Sequence, residues 1–157
     1  MINIRTILLI LMVLFVSFYL KDMTTDHAAV IKVEGILTPQ QDQATKFINS
    51  FDIAVQNNAV KLIIIKINSE GGDGVQAERI YRRIKRDNLD IPIIAVVDRC
   101  ALSAGYLVAS ATDNIYVNHN SLVGHLGVVF HMSEDMKEDK EIDTSGILFA
   151  GKYKVSR

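Results

Sequence analysis

Residues 98–111 read Asp-Arg-Cys-Ala-Leu-Ser-Ala-Gly-Tyr-Leu-Val-Ala-Ser-Ala, and this stretch decides the fold that the sequence predicts. The apolar run 91–97 before it is typical of a buried strand, and the small and apolar residues after Ser103 have helical spacing. Ser103 is therefore expected at the start of a helix, just past the carboxyl end of a strand. Proteins with α/β folds commonly place their chemistry at this position. A cap for the helix is the alternative role for the same serine.

A second strand-to-turn pattern lies about thirty residues earlier in the chain. The apolar run 60–67 predicts another buried strand, and residues 68–72, Asn-Ser-Glu-Gly-Gly, follow it. Adjacent glycines let a backbone approach a ligand closely, and paired backbone amides can form an oxyanion hole. One Gly-Gly pair would indicate only a turn, but the two patterns together indicate a catalytic site.

Four short patterns in this order resemble those of the signal peptide peptidase A (protease IV) family of serine proteases. They are Asn68-Ser69-Glu70-Gly71-Gly72, Ser103-Ala104-Gly105-Tyr106, Gly124-His125-Leu126-Gly127-Val128 and Gly151-Lys152-Tyr153-Lys154. The resemblance covers roughly residues 30–154. It implies an α/β domain with the ClpP/crotonase fold, built from stacked ββα units, and a serine peptidase activity.

The resemblance implies a Ser-Lys dyad, in which Ser103 is the nucleophile and Lys154 is the general base. A serine hydroxyl needs such a base, and none of the four histidines has a clear carboxylate partner in the sequence. Lys152 is the rival base, and Ser69 is the next candidate nucleophile. His125 stands where the family has a serine that helps to hold the lysine; a neutral imidazole can also accept a hydrogen bond from an ammonium group. No cofactor and no metal site are predicted.

The same resemblance places the oxyanion hole and the substrate side of the site at Gly71, Gly72 and Gly105. Two residues near them depart from the family pattern. Glu70 replaces a proline, and its charge would oppose oxyanion formation if it pointed inward. Ala104 replaces a glycine beside the nucleophile, which is a mild change in a helical backbone.

The N-terminal residues predict a membrane anchor that precedes the catalytic domain. The apolar run 7–20 is short for a membrane span and also suits the core of a cleaved signal peptide. No small-x-small cleavage site follows it before residue 28, which favours an uncleaved anchor. We therefore predict an anchor over residues 1–22, a linker over 23–28 and the protease domain over 29–157. Arg5 favours a cytoplasmic N-terminus and an extracytoplasmic protease domain.

The composition is that of one globular domain with few features that suggest other partners. The chain has 157 residues, 49% of them hydrophobic and 22% charged, and its formal net charge is −1. This balance speaks against nucleic acid as a partner. Cys100 is the single cysteine, so no intramolecular disulfide is possible, and we expect it to fill a small buried space. The expected partners are peptide substrates, the membrane and either copies of this chain or full-length relatives.

Three residues follow Lys154, so we expect that the C-terminal part of the family domain is missing. A lysine becomes a base near neutral pH only when a protein wall desolvates its ammonium group. The chain alone is therefore expected to be a weak peptidase whose rate still rises above about pH 9. The alternatives are an inactive remnant, a capsid-processing protease of the same family, and an acyl-CoA enzyme of the crotonase type. The Ser-x-Gly-Tyr turn and the apolar N-terminus speak against the last of these.

Overall fold

The computed structural model describes residues 3–22, 25–86, 89–131 and 147–150, with side chains over 3–17, 25–86 and 89–127. Its helices and strands alternate as the two strand-to-helix patterns predict. They are α1 (Ile4–Asp22), β1 (His27–Leu37), a 3₁₀ turn (Pro39–Gln41), α2 (Gln43–Gln56), β2 (Val60–Gly72), α3 (Gly74–Arg86), β3 (Ile93–Leu102), α4 (Ala104–Ala109), β4 (Asn114–Val117), β5 (Leu122–Gly124), β6 (Val128–His131) and β7 (Ile147–Ala150). The predicted α/β class is confirmed.

Strands β1, β2, β3 and β4 form a parallel sheet in that order, and β5 pairs with the end of β3. The central strand β2 carries Ile63, Ile65 and Ile67 on one face, and all three are fully buried. Burying such a side chain contributes about 1.5–3 kcal/mol. The apolar run that predicts β2 is therefore what holds it in the middle of the sheet. Strands β6 and β7 form a separate antiparallel pair.

Helices α2, α3 and α4 cover one face of the sheet. The periodic apolar residues of α2 point into this layer, with Phe51 fully buried and Phe47 stacked on it at a ring-centroid distance of 5.8 Å. Helix α3 adds Ile80, which is also fully buried. Apolar residues recur at helical spacing in both segments of the sequence, as at Phe47 and Phe51 in α2 and at Ala77, Ile80 and Ile84 in α3, and this spacing predicts the faces that the structure buries.

The opposite face of the sheet is partly exposed in the described part of the chain. Val30, Ile64 and Ile94 are neighbours across three strands, and Val30 has 57% of its surface exposed. Parallel sheets are usually covered on both faces. This face therefore combines an apolar patch with the ion pairs Lys32–Glu34 and Lys66–Asp98.

Helix α1 forms where the N-terminal apolar run predicts a helix. Its described side chains are exposed, and Leu8 and Phe15 have 62% and 64% of their surface accessible. Within the residues that the structure describes, no helix is both long and apolar enough to cross a membrane.

The start of α2 differs from what the sequence predicts. Thr38 is a typical helix cap and Pro39 suits a first helical position, so a helix is expected directly after Thr38. The structure has a 3₁₀ turn first, because Asp42 adopts a left-handed conformation (φ 44°, ψ 46°) that interrupts the helix. The Ala44 N–H in the first turn of α2 instead donates to Gln76 Oε1 of α3 at 3.1 Å, so the cap comes from a neighbouring helix. At α3 the sequence predicts Asp73 as the cap, and this is confirmed because the Gln76 N–H donates to Asp73 Oδ1 at 2.8 Å. The charged stretch 133–143, expected as an exposed helix or loop, lies outside the described residues.

Candidate active site

Ser103 is the single residue between the end of β3 and the start of α4. Its backbone has φ 50° and ψ −115°, which lies outside the regions that L-residues normally occupy. Two hydrogen bonds hold this conformation: the Ser103 N–H donates to the Gly124 carbonyl at 2.8 Å, and the Leu107 N–H donates to the Ser103 carbonyl at 3.0 Å. The Ser103 side chain makes no capping hydrogen bond to α4. The alternative role as a helix cap is therefore wrong, and the strained backbone needs another explanation.

Gly71 lies directly against Ser103. A Cβ atom added at Gly71 would stand 2.9 Å from Ser103 Cβ, 2.8 Å from the Leu102 carbonyl oxygen and 3.2 Å from the Ala104 nitrogen. Gly71 also has φ 107°, a conformation that favours glycine. The missing side chain therefore lets the β2 backbone approach the nucleophile candidate closely.

Gly72 and Gly105 allow two other close approaches in the same region. Gly72 has φ 123°, and an added Cβ would collide with the Leu37 carbonyl of β1. Gly105 packs on β2, since its added Cβ would stand 3.1 Å from Ser69 Cβ. Gly105 therefore lies at the contact between α4 and β2.

Ser69 is fully buried, and its hydroxyl is bonded inside the protein. Its Oγ donates to the Gly35 carbonyl at 2.6 Å and accepts the Gly71 N–H at 3.2 Å. Ser69 is thus inaccessible as a nucleophile. Gly35 has no role in the sequence-based predictions, although a glycine inside a strand pattern is typical of a bulge.

His125 directly follows Gly124, whose carbonyl accepts the Ser103 N–H. Gly124 of β5 pairs with Leu102 of β3, and the side chain of His125 is exposed. His125 has φ 55°, so two non-glycine residues with positive φ stand next to each other at this edge of the sheet. Such strain concentrates at functional sites, where surrounding contacts maintain it.

Glu70 and Cys100 occupy positions that leave the serine undisturbed. The Glu70 carboxylate faces solvent, with 48% of its side chain exposed, and pairs with the Arg99 guanidinium at 3.4 Å. The negative charge of Glu70 is therefore paired with the positive charge of the Arg99 guanidinium. Cys100 is buried, as expected, and its Sγ donates to Asn68 Oδ1 at 3.6 Å.

The candidate bases Lys152 and Lys154 lie outside the described residues. The chain before them can be followed: β7 ends at Ala150, which pairs with Val128 at the start of β6. Val128 comes directly after the 124–127 turn whose first carbonyl binds Ser103. Ala150, four residues before Lys154, thus pairs with the strand that directly follows this turn.

Comparison with known proteins places these features in a family. The model of the NfeD1b N-terminal domain matches residues 30–143, which is most of the chain and includes both glycine patterns. The chain belongs to the NfeD1b N-terminal domain family. The matched region of this NfeD1b domain contains Ser103 and the turn at Gly71.

Individual relatives carry names of proteases. A candidate protease of Methanocaldococcus jannaschii is 27% identical over 122 residues, which are 77% of this chain and 39% of that protein. The chloroplastic serine protease SPPA of Arabidopsis thaliana is 35% identical over 74 residues, 47% of this chain and 11% of that protein. The membrane-bound stomatin-specific protease 1510-N, solved with a substrate peptide, has a TM-score of 0.57 and 26% identity over 71% of this chain and 50% of that chain.

These similarities confirm that the NfeD1b domain resembles signal peptide peptidase A and has the ClpP/crotonase fold of that protease class. The chain spans at most 39% of the length of the curated relatives described above. The similarities thus relate this domain to proteases of that class. Its dyad, its substrates and its place in the cell are subjects for proposals.

Proposed function

We propose that this domain cleaves peptide bonds through an acyl-enzyme on Ser103. The observation that carries the proposal is the strained Ser103 backbone, with the side-chain-free Gly71 held against it. The Ser103 hydroxyl adds to the scissile carbonyl and gives its proton to a base. The base returns the proton to the leaving amine, and water then releases the acyl group. In this proposal, backbone amides beside Ser103 stabilise the tetrahedral oxyanion.

Lys154 is the general base in this proposal. The Gly-Lys-Tyr-Lys pattern supports it, and Lys154 follows the end of β7 at Ala150 by four residues, at most about 14 Å of chain. Two solved forms of 1510-N carry a serine-to-alanine and a lysine-to-alanine substitution, respectively. His125 beside Ser103 would accept a hydrogen bond from the ammonium group.

The domain acts at a membrane in this proposal, with α1 inserted in the lipid and the protease domain on the extracytoplasmic side. The exposed apolar side chains of α1 support membrane attachment, because a helix that is apolar all round needs an apolar environment. Released signal peptides or other peptides are the substrates. The partly exposed sheet face around Ile64 supports assembly with further copies or full-length relatives.

A fluorophosphonate probe tests the nucleophile. We expect the wild type to be labelled and Ser103→Ala to remain unlabelled while its circular dichroism spectrum is unchanged. Labelling of Ser103→Ala at the wild-type rate would contradict the proposal. A proteome-derived peptide library then identifies the cleaved sequences.

The two lysines form a matched pair for testing the base. Lys154→Ala is expected to lower the labelling rate at pH 7 by about a hundredfold or more, whereas Lys152→Ala labels like the wild type. If Lys152→Ala lowers the labelling rate and Lys154→Ala does not, Lys152 is the base. Equal rates for both variants and the wild type would contradict a lysine base.

Membrane attachment is tested by a carbonate wash of membranes from expressing cells. The wild type should remain in the pellet, and Leu11→Arg should release it because the charged side chain resists burial in lipid. Leu126→Arg is the matched control, since Leu126 is 55% exposed and lies outside α1. A wild type that is released by the wash would contradict membrane attachment.

A further inference from the structure

Ser69 joins three parts of the backbone around the candidate nucleophile. Its side chain is fully buried, and its hydroxyl donates to Gly35 of β1 at 2.6 Å and accepts from Gly71 of β2 at 3.2 Å. Its Cβ and Oγ also form the surface on which Gly105 of α4 packs. A serine hydroxyl has one proton to donate, so this proton is committed to Gly35.

The regular ladders of the sheet are interrupted where Ser69 stands. The pairing of β1 with β2 shifts between Glu34 and Ile36, and the pairing of β2 with β3 shifts between Ile67 and Ser69. Beyond these shifts Gly71 pairs with Ile36 of β1 in a new register, so the ladder that holds Gly71 resumes only past Ser69. The Ser69 hydroxyl supplies a link between the bulged β1 backbone and the Gly71 amide.

The position of Gly71 in turn determines how closely the β2 backbone approaches the side chain of Ser103. An added Cβ on Gly71 would stand 2.9 Å from Ser103 Cβ, so a small shift of Gly71 changes the space beside the serine. Ser69 contacts both sides of this space, through the Gly71 amide and through Gly105 in the helix that follows Ser103. It therefore links the two segments whose separation defines the oxyanion side of the site.

We propose that Ser69 is a positioning residue that fixes the distance between the Gly71 backbone and Ser103. This inference rests on the proposed peptidase function, because the fixed distance matters where an oxyanion forms. Displacement of a catalytic group by about 1 Å can cost about a hundredfold in rate. Loss of the hydroxyl would leave the Gly35 carbonyl and the Gly71 amide without their buried partner, and both segments would move.

The test compares Ser69→Ala with Thr112→Val in the full-length chain. Thr112 is a matched control because its hydroxyl is also buried and also bonds backbone carbonyls, those of Ala109 and Asn114, at 2.9 and 3.1 Å. Both variants are expected to lower the melting temperature by similar amounts. Ser69→Ala alone should lower the rate of fluorophosphonate labelling and the peptidase kcat by about tenfold to a hundredfold, with KM little changed.

Amide hydrogen exchange provides a readout that does not depend on activity. The Gly71 amide should exchange faster in Ser69→Ala than in the wild type, and Thr112→Val should leave it unchanged. Unchanged Gly71 exchange in Ser69→Ala, or a labelling rate that falls no more than in the control, would overturn the inference. If the wild type itself is not labelled, the proposed function fails, while the exchange rates still decide whether Ser69 positions Gly71.

Discussion

The strand β2 consists of two regions under opposite physical demands. From Leu62 to Ile67 its pairing with β1 keeps one register, and its buried isoleucines fill the space under the helices. From Ser69 to Gly72 the register shifts, and both glycines have positive φ. In the first region, large side chains fill the core. In the second region, the glycines lack the side chains that would keep the backbone of β2 away from its neighbours.

This difference separates stability from chemistry along one strand. Removing atoms from the first region leaves a cavity and costs folding free energy. Adding atoms to the second region displaces Ser103 and its surroundings. Substitutions in the two regions are thus expected to change different measurements.

The largest effect is expected from Gly71→Ala. The added Cβ meets Ser103 Cβ at 2.9 Å and requires φ 107°, so we expect a loss of about 2 kcal/mol or more in stability and no detectable labelling of the folded protein. Gly74→Ala is the control, because an added Cβ there has nothing within 4 Å. Gly35→Ala is a second comparison: its added Cβ has nothing within 4 Å, but the alanine must still adopt φ 73°. Labelling of Gly71→Ala at the control rate would contradict the role of the close approach.

Ile65→Ala is expected to have the converse effect. Truncation of this fully buried side chain should lower the free energy of unfolding by about 2–5 kcal/mol, measured by urea denaturation. The labelling rate of the folded fraction should remain close to that of the wild type. A strongly reduced rate in the folded fraction would show that the two regions of β2 are coupled.

Ser103→Gly and Ser103→Ala together measure the strain at the nucleophile. Glycine adopts φ 50° readily, so Ser103→Gly should be more stable than Ser103→Ala by about 1 kcal/mol. Thermal unfolding of the two variants provides the comparison. Equal stabilities would mean that Ser103 stores no strain.

The smallest effect is expected at Asp42, which lies outside both regions of β2. Hydrogen bonds from Thr45, together with the nearby Arg79 guanidinium, hold the pKa of the Asp42 carboxyl below its usual value. A lowered folded-state pKa stabilises the fold above the unfolded pKa of about 3.9. This contribution is lost as the pH falls through the folded pKa. The stability difference between the wild type and Asp42→Asn should therefore shrink in acid, as measured by urea denaturation from pH 6 to pH 2.

Local patterns in the sequence predict most of the fold and the position of Ser103 between a strand and a helix. The apolar runs identify β2 and β3, and the helical spacing identifies the buried face of α2, because side-chain periodicity follows the geometry of each element. The start of α2 is predicted less well. The left-handed Asp42 and the cap that Gln76 of α3 provides to the Ala44 N–H depend on contacts between α2 and its surroundings, which no local pattern encodes.

The sequence by itself determined the order of strands and helices, the position of Ser103 after β3 and the glycine turn at Gly71. These features depend on residues near one another in the chain. Only the tertiary structure decided that Ser103 is strained and that Ser69 binds Gly35, 34 residues away. It also decided that the Glu70 charge turns to Arg99 rather than to the serine. The physical reason is that these contacts depend on the register between strands, and register is fixed when the sheet assembles.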